Sequence, residues 1–160
     1  MNPAQKHLLK TWIAAILWLG IIVTESSNLA SADNTRRILY PLLHFLFGLD
    51  PAHFPAWHAV IRKSGHFVGY FTLSWLLFRA WRDTFPFPGR NWAIHWARIS
   101  FFMAALVACL DEWHQSYLPS RTGNFHDVLL DSTAALVAQV VIFLVLRQRG
   151  LETRPHLNTS

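Results

Sequence analysis

The residues of this 160-residue chain with chemical potential fall in three short groups. Lys63, His66 and Tyr70 are spaced i, i+3, i+7, so on a helix they share one face. Asp111, Glu112 and Gln115 place two carboxylates and an amide within one turn, and Asp127 and Asp131 are four apart. Arg121 lies between the last two groups. If one site gathers them, four carboxylates face Lys63, Arg121 and His66. Such a set suits acid–base chemistry, with Glu112, Asp111 or His66 as candidate acid or base. It equally suits ligand binding by Lys63, His66, Tyr70, Asp111, Glu112, Gln115, Arg121, Asp127 and Asp131. His66, His114 and His126 stand near Asp111 and Asp127, a combination able to ligate a metal. No HExxH spacing accompanies them, and the expectation is of no metal and no cofactor.

The elements that must position these groups are apolar. The chain is 52% hydrophobic and 14% charged, against about 25% charged in a typical soluble domain. Four apolar runs cover about 8–24, 64–80, 93–110 and 128–146. Each is close to the length of about 20 residues that crosses a bilayer. The runs are continuous, not alternating, which argues for helices rather than strands. The fold class is therefore all-α: a polytopic membrane protein with a four-transmembrane-helix bundle. A long first extracytoplasmic loop contains Ile38–Leu49, too short to span and read as an interfacial or re-entrant segment. The membrane domain occupies 1–150, and 151–160 form a short polar cytoplasmic tail. A competing pattern at the N-terminus is a signal peptide, with basic Lys6 and Lys10 before an apolar stretch and Ala30-Ser31-Ala32 as a small-residue site.

Net charge +5 does not indicate nucleic acid, because the basic residues flank the apolar runs instead of forming one stripe. With the N-terminus inside, Lys6, Lys10, Arg79, Arg82, Arg90, Arg98, Arg147, Arg149 and Arg154 are cytoplasmic. Arg36, Arg37, Arg62, Lys63 and Arg121 are outside. This imbalance favours cytoplasmic N- and C-termini. Seven of the nine acidic residues then lie outside, the exceptions being Asp83 and Glu152. Asp131 stands inside a span, where a lipid-facing carboxylate is costly, so it is expected to face protein or water. Ala134, Ala135 and Ala138 would let a neighbouring helix approach it. The single cysteine, Cys109, permits no disulfide within the chain and is expected to be a small buried residue.

Lys63-x-x-His66-x-x-x-Tyr70, Asp111-Glu112-x-x-Gln115, Arg121 and Asp127-x-x-x-Asp131, with Ser26 and Ser27 after the first run, resemble the VanZ-like family of bacterial membrane proteins. The resemblance covers most of the chain. It departs at Ala134 and Ala138, where that family often has Gly. It implies a connection to the cell envelope and to teicoplanin-type glycopeptide susceptibility, and it implies no established reaction. Three functions follow as expectations. One is an envelope-modulating protein that binds a lipid-linked or amphiphilic ligand among the membrane lipids. Another is a membrane enzyme acting on a lipid-linked or phosphate-bearing substrate. The third is a structural or assembly protein whose polar cluster only clamps helices. The sequence does not fix the oligomeric state, and a transporter of four helices would need several copies.

Overall fold

A computed structural model describes residues 1–27, 32–119 and 123–152. Arg121, the Ala30-Ser31 part of the cleavage pattern and the tail beyond 152 lie outside the described residues. Among the described residues five helices form: α1 Pro3–Ser26, α2 Ala32–Phe47, α3 Phe54–Thr84, α4 Ile94–Gln115 and α5 Phe125–Glu152. No strand occurs among the described residues. Three helices, α1, α4 and α5, are long and apolar enough to cross a membrane. The chain is an all-α, multi-pass membrane protein.

Local signals account for the helix ends. Asn2 and Gln5 form a reciprocal capping box ahead of Pro3 at the start of α1, which satisfies two otherwise unpaired N–H groups. Gly48, at φ 63, closes α2 by donating its N–H to the His44 carbonyl. Pro86, Pro88 and Gly89 separate α3 from α4, with Gly89 at φ 72 in a conformation that side chains rarely adopt. The helices outrun the apolar runs because the hydrogen-bonded backbone continues past the last lipid-compatible side chain.

Helix α3 is the hub of the bundle and packs against α1, α4 and α5. It runs parallel to α5, and the pairing register is constant. His66 meets Asp131 and Ser74 meets Gln139, both with an offset of 65 residues. The two ties are eight residues apart, about 12 Å along the axis at 1.5 Å per residue. Helix α4 runs the opposite way: Asp111 lies with His66 and Asp131, whereas Trp96 near its other end packs edge-on to Phe78. Helix α1 is also antiparallel to α3, with Trp12 donating to Thr84 Oγ1 and Trp18 donating to the Gly69 carbonyl.

The packing is inverted relative to a water-soluble bundle. Ala104, Ala108, Ala134, Ala135 and Ala138 are fully buried, and these small residues let the backbones approach. Large apolar side chains such as Leu17, Phe102, Leu106, Leu136 and Leu144 point outward. A surface of that kind is compatible with lipid and not with water. Cys109, expected inside, is exposed on this surface. The packed face of α4 is instead formed by Ala104 and Ala108, one turn apart. Tryptophans 12, 81 and 96 gather at the end of the bundle remote from Asp131. There Trp12 and Trp81 meet edge-on at 5.4 Å and the Trp96 ring N–H donates to the Phe85 carbonyl. Indole rings with this mixed character favour a membrane–water interface.

Helix α2 stands apart and, among the described residues, touches only α3. Tyr40 meets Phe54 edge-on at 5.2 Å, and Thr35 Oγ1 lies 2.8 Å from His58 Nε2. Its Ile38, Leu42, Phe45, Leu46 and Phe47 are exposed. The sequence places Ile38–Leu49 as a short non-spanning piece. The structure has a regular 16-residue helix with Pro41 inside it.

Candidate functional site

The polar end of the bundle is assembled from one contribution per helix. Helix α3 supplies His66 and Tyr70, whose rings stack at 6.5 Å between centroids. Helix α4 supplies Asp111, Glu112 and Gln115 from its last turn, all buried. Helix α5 supplies Asp131, which is 0% exposed. Helix α1 contributes Ser26 at its C-terminus, also buried.

Two kinds of interaction are present. The first is structural tying. Gln115 Nε2 donates to Asp111 Oδ2 at 3.1 Å and to Ser26 Oγ at 3.4 Å, which joins α4 to the end of α1. The Asn124 N–H donates to Glu112 Oε2 at 2.8 Å, anchoring the chain just before α5. Gly123 is required beside it, since a Cβ there would fall 2.5 Å from the Glu112 carbonyl oxygen. Deeper in the bundle, Gln139 Nε2 donates to Ser74 Oγ at 2.7 Å and to the Ser74 carbonyl at 3.1 Å. Ser74 Oγ in turn donates to the Ala135 carbonyl at 3.0 Å.

The second kind is an incompletely satisfied centre. His66 Nδ1 lies 3.3 Å from Asp131 Oδ2, longer than the 2.7–2.9 Å typical of charge-assisted N–H···O bonds. Among the described residues, Asp131 Oδ1 is buried without a partner, and the buried Tyr70 hydroxyl faces the Asp111 carboxylate without meeting strict hydrogen-bond geometry. His66, Asp111 and Asp131 each present a ligating atom, all within 4.8 Å of one another. The His66 side chain is 21% exposed, whereas Asp131 is fully buried. Buried polar atoms without partners are uncommon and mark places where a group from outside can add interactions.

The structure therefore brings together His66, Tyr70, Asp111, Glu112, Gln115 and Asp131. Lys63 is exposed and pairs with no carboxylate among the described residues. Its long side chain points outward although it shares a helix with His66. Asp127 sits in the first turn of α5, partly exposed, where its charge complements the helix N-terminus. His114 and His126 are exposed, away from the centre. Two residues of this polar system were not singled out as a pair by spacing, Ser74 and Gln139. The available signal was the same 65-residue offset that relates His66 to Asp131.

Comparison with known proteins adds one positive result. The chain matches the family model described as VanZ/LLP1 over residues 11–147, from the first turns of α1 almost to the end of α5. No curated protein and no solved structure matches it. The match takes in all four helices of the bundle and every side chain of its polar end. The chain belongs to the VanZ/LLP1 family.

Proposed function

We propose that the chain is a four-span protein of the bacterial cytoplasmic membrane, with both termini cytoplasmic and its polar end facing outward, where it binds an envelope component or an amphiphilic molecule. Helix α3 is the fourth span. It is enclosed by the three more apolar helices, and Ser64 to Phe78 carry no Lys, Arg, Asp or Glu. A helix surrounded by protein needs less apolar surface than one facing lipid. Its basic flanks, Arg62 and Lys63 at one end and Arg79 and Arg82 at the other, can snorkel to the two interfaces. Helix α2 then lies flat on the outer surface, its apolar face in the acyl boundary beside the mouth of the site.

The observation that carries the binding reading is the buried, part-satisfied centre at one end of the bundle, formed by His66, Tyr70, Asp111 and Asp131. Modulation of glycopeptide susceptibility is the cellular outcome expected of such binding. The test uses purified protein in nanodiscs with two probes, fluorescent teicoplanin and a lipid-linked peptidoglycan precursor. Saturable binding of either, lost in Asp131→Asn with helicity retained, supports the reading; no saturable binding of both rejects it. Cysteines placed at 114 and 126 should react with an impermeant reagent added outside intact cells, whereas one at 90 should not.

A second reading rests on a different observation. The ties Glu112–Asn124 and Gln115–Ser26 hold helix ends together and need no ligand. If Glu112→Gln lowers thermal stability and leaves binding intact, this half of the cluster is a clamp. If Glu112→Gln is stable but changes the cellular profile of lipid and peptidoglycan precursors, the acid–base enzyme reading takes precedence.

A further inference from the structure

The centre has the donor set of a metal site. We propose that His66, Asp111 and Asp131 bind one divalent first-row transition-metal ion, with zinc the best match. This rests on the reading of the polar end as a site rather than a clamp, and it replaces the expectation of no metal with a defined set of three ligands. Each ligand comes from a different helix, and two carboxylates with one neutral imidazole balance a 2+ ion. A single imidazole beside two carboxylates favours zinc, manganese or iron over calcium or magnesium, which take oxygen donors.

Distances fit this assignment. Zinc bonds to imidazole nitrogen and carboxylate oxygen are about 2.0–2.2 Å, so neighbouring ligand atoms in a tetrahedral site stand about 3.3–3.6 Å apart. The His66 Nδ1 to Asp131 Oδ2 separation is 3.3 Å, long for a charged hydrogen bond but matching that edge. Asp111 closes the triangle within 4.8 Å, leaving roughly an ångström of side-chain adjustment to reach ligand spacing.

Two buried polar atoms in the centre also point to an ion. Asp131 Oδ1 is wholly buried with no partner among the described residues, although a carboxylate oxygen in that environment ordinarily accepts a hydrogen bond. The Tyr70 hydroxyl, on a residue only 1% exposed, is aimed into the centre at the Asp111 carboxylate without meeting strict hydrogen-bond geometry. An ion on Asp131 Oδ2 would neutralise the buried carboxylate to which the first belongs, and a water or anionic oxygen on its open position would lie near the second. Gln115 supplies the outer support that metal-binding carboxylates usually have, holding Asp111 through Oδ2 at 3.1 Å. Three protein ligands with a fourth position open towards the His66 side would let a phosphate or carboxylate oxygen of an incoming molecule bind the ion directly.

The experiment uses the full chain in detergent with a histidine-free affinity tag. After chelator treatment, zinc, cobalt or magnesium chloride is added, with elemental analysis, calorimetry and visible absorption as readouts. The expected result is about one zinc per chain, cobalt bands of a four-coordinate site, and no competition by magnesium. Asp131→Asn and His66→Gln should each weaken zinc binding at least 100-fold. His114→Gln and His126→Gln, on exposed residues, should leave it unchanged. Should Asp131→Asn misfold, Asp111→Asn and the loss of zinc-induced thermal stabilisation in His66→Gln decide the matter. Absence of stoichiometric zinc, or binding that survives both Asp111→Asn and His66→Gln, overturns the assignment. If metal-free wild type still binds a nanodisc probe while zinc binding is absent, the metal assignment fails and the ligand-binding reading stands.

Discussion

Replacing Ser74 by alanine tests the register on which the polar end depends. Ser74 is fully buried, and its hydroxyl both accepts from Gln139 Nε2 at 2.7 Å and donates to the Ala135 carbonyl at 3.0 Å. Ser74→Ala removes both interactions. Interhelical hydrogen bonds within membrane proteins average about 0.6 kcal/mol, with a maximum near 1.7. Two such bonds place the loss at about 1.2 kcal/mol. The value should stay towards the low end because Gln139 Nε2 keeps the Ser74 carbonyl as an acceptor at 3.1 Å. Gln139→Leu should cost less still. It removes both donations to Ser74, but it also removes Oε1, a buried oxygen that has no partner. The double variant isolates the 2.7 Å bond, with an expected coupling of about 0.6 kcal/mol. Unfolding in mixed micelles or by steric trapping measures all four corners of the cycle. A coupling below about 0.3 kcal/mol, the ordinary error of additivity for independent sites, would refute the described pairing of α3 with α5. A loss above about 4 kcal/mol for Ser74→Ala would equally contradict the assigned partners, because two bonds at the observed maximum cannot supply it.

Three other outcomes follow from the same structure. Gly123→Ala should lower stability by about 1–3 kcal/mol, because the added methyl meets a backbone oxygen that cannot rotate away; thermal unfolding measures it. His58, just beyond the spanning part of α3, titrates below the ordinary histidine value of 6.5 because it is partly buried and also feels Arg62 and Arg36. A folded-state value below the unfolded one means that this contribution to stability is complete above pH 6.5 and declines as pH falls through it. An NMR titration should show the depressed midpoint, and Arg62→Ala should raise it. Phe45→Trp on the exposed face of α2 should be quenched by brominated lipid near the glycerol level; fluorescence unaffected by that lipid would remove α2 from the membrane surface.

Much of this arrangement can be read from residue types alone, and particular positions show where reading stops. The i, i+3, i+7 spacing of Lys63, His66 and Tyr70 places them on one face, yet only His66 and Tyr70 reach the centre. Spacing fixes where a Cβ points, whereas a long lysine chain turns to water if water is near. Asp131 is identifiable because a charge inside an apolar run must find protein, and its burial against His66 is the result. The identity of that partner was less legible, since charge alone favours Lys63 or Arg121 over a histidine. Cys109 shows the reverse difficulty: an apolar run does not reveal which side faces lipid, because both sides of a membrane helix are apolar. Helix α2 was legible as an apolar piece but not as a helix from Ala32, because Pro41 ordinarily signals a break. Here it stands ten residues into a helix that makes few contacts, where a missing N–H can be tolerated at an exposed face.

The constant offset between α3 and α5 has a mechanical consequence. Two polar couplings about two turns apart engage together, as two teeth of one rack. Sliding one helix past the other by a single turn, about 5.4 Å, would disengage both at once and strand four polar groups in an apolar medium. Piston motion of α3 against α5 is thereby suppressed, so a displacement at the polar end can reach the tryptophan-rich end only by tilting or rotating α3 and α5 as a single rod.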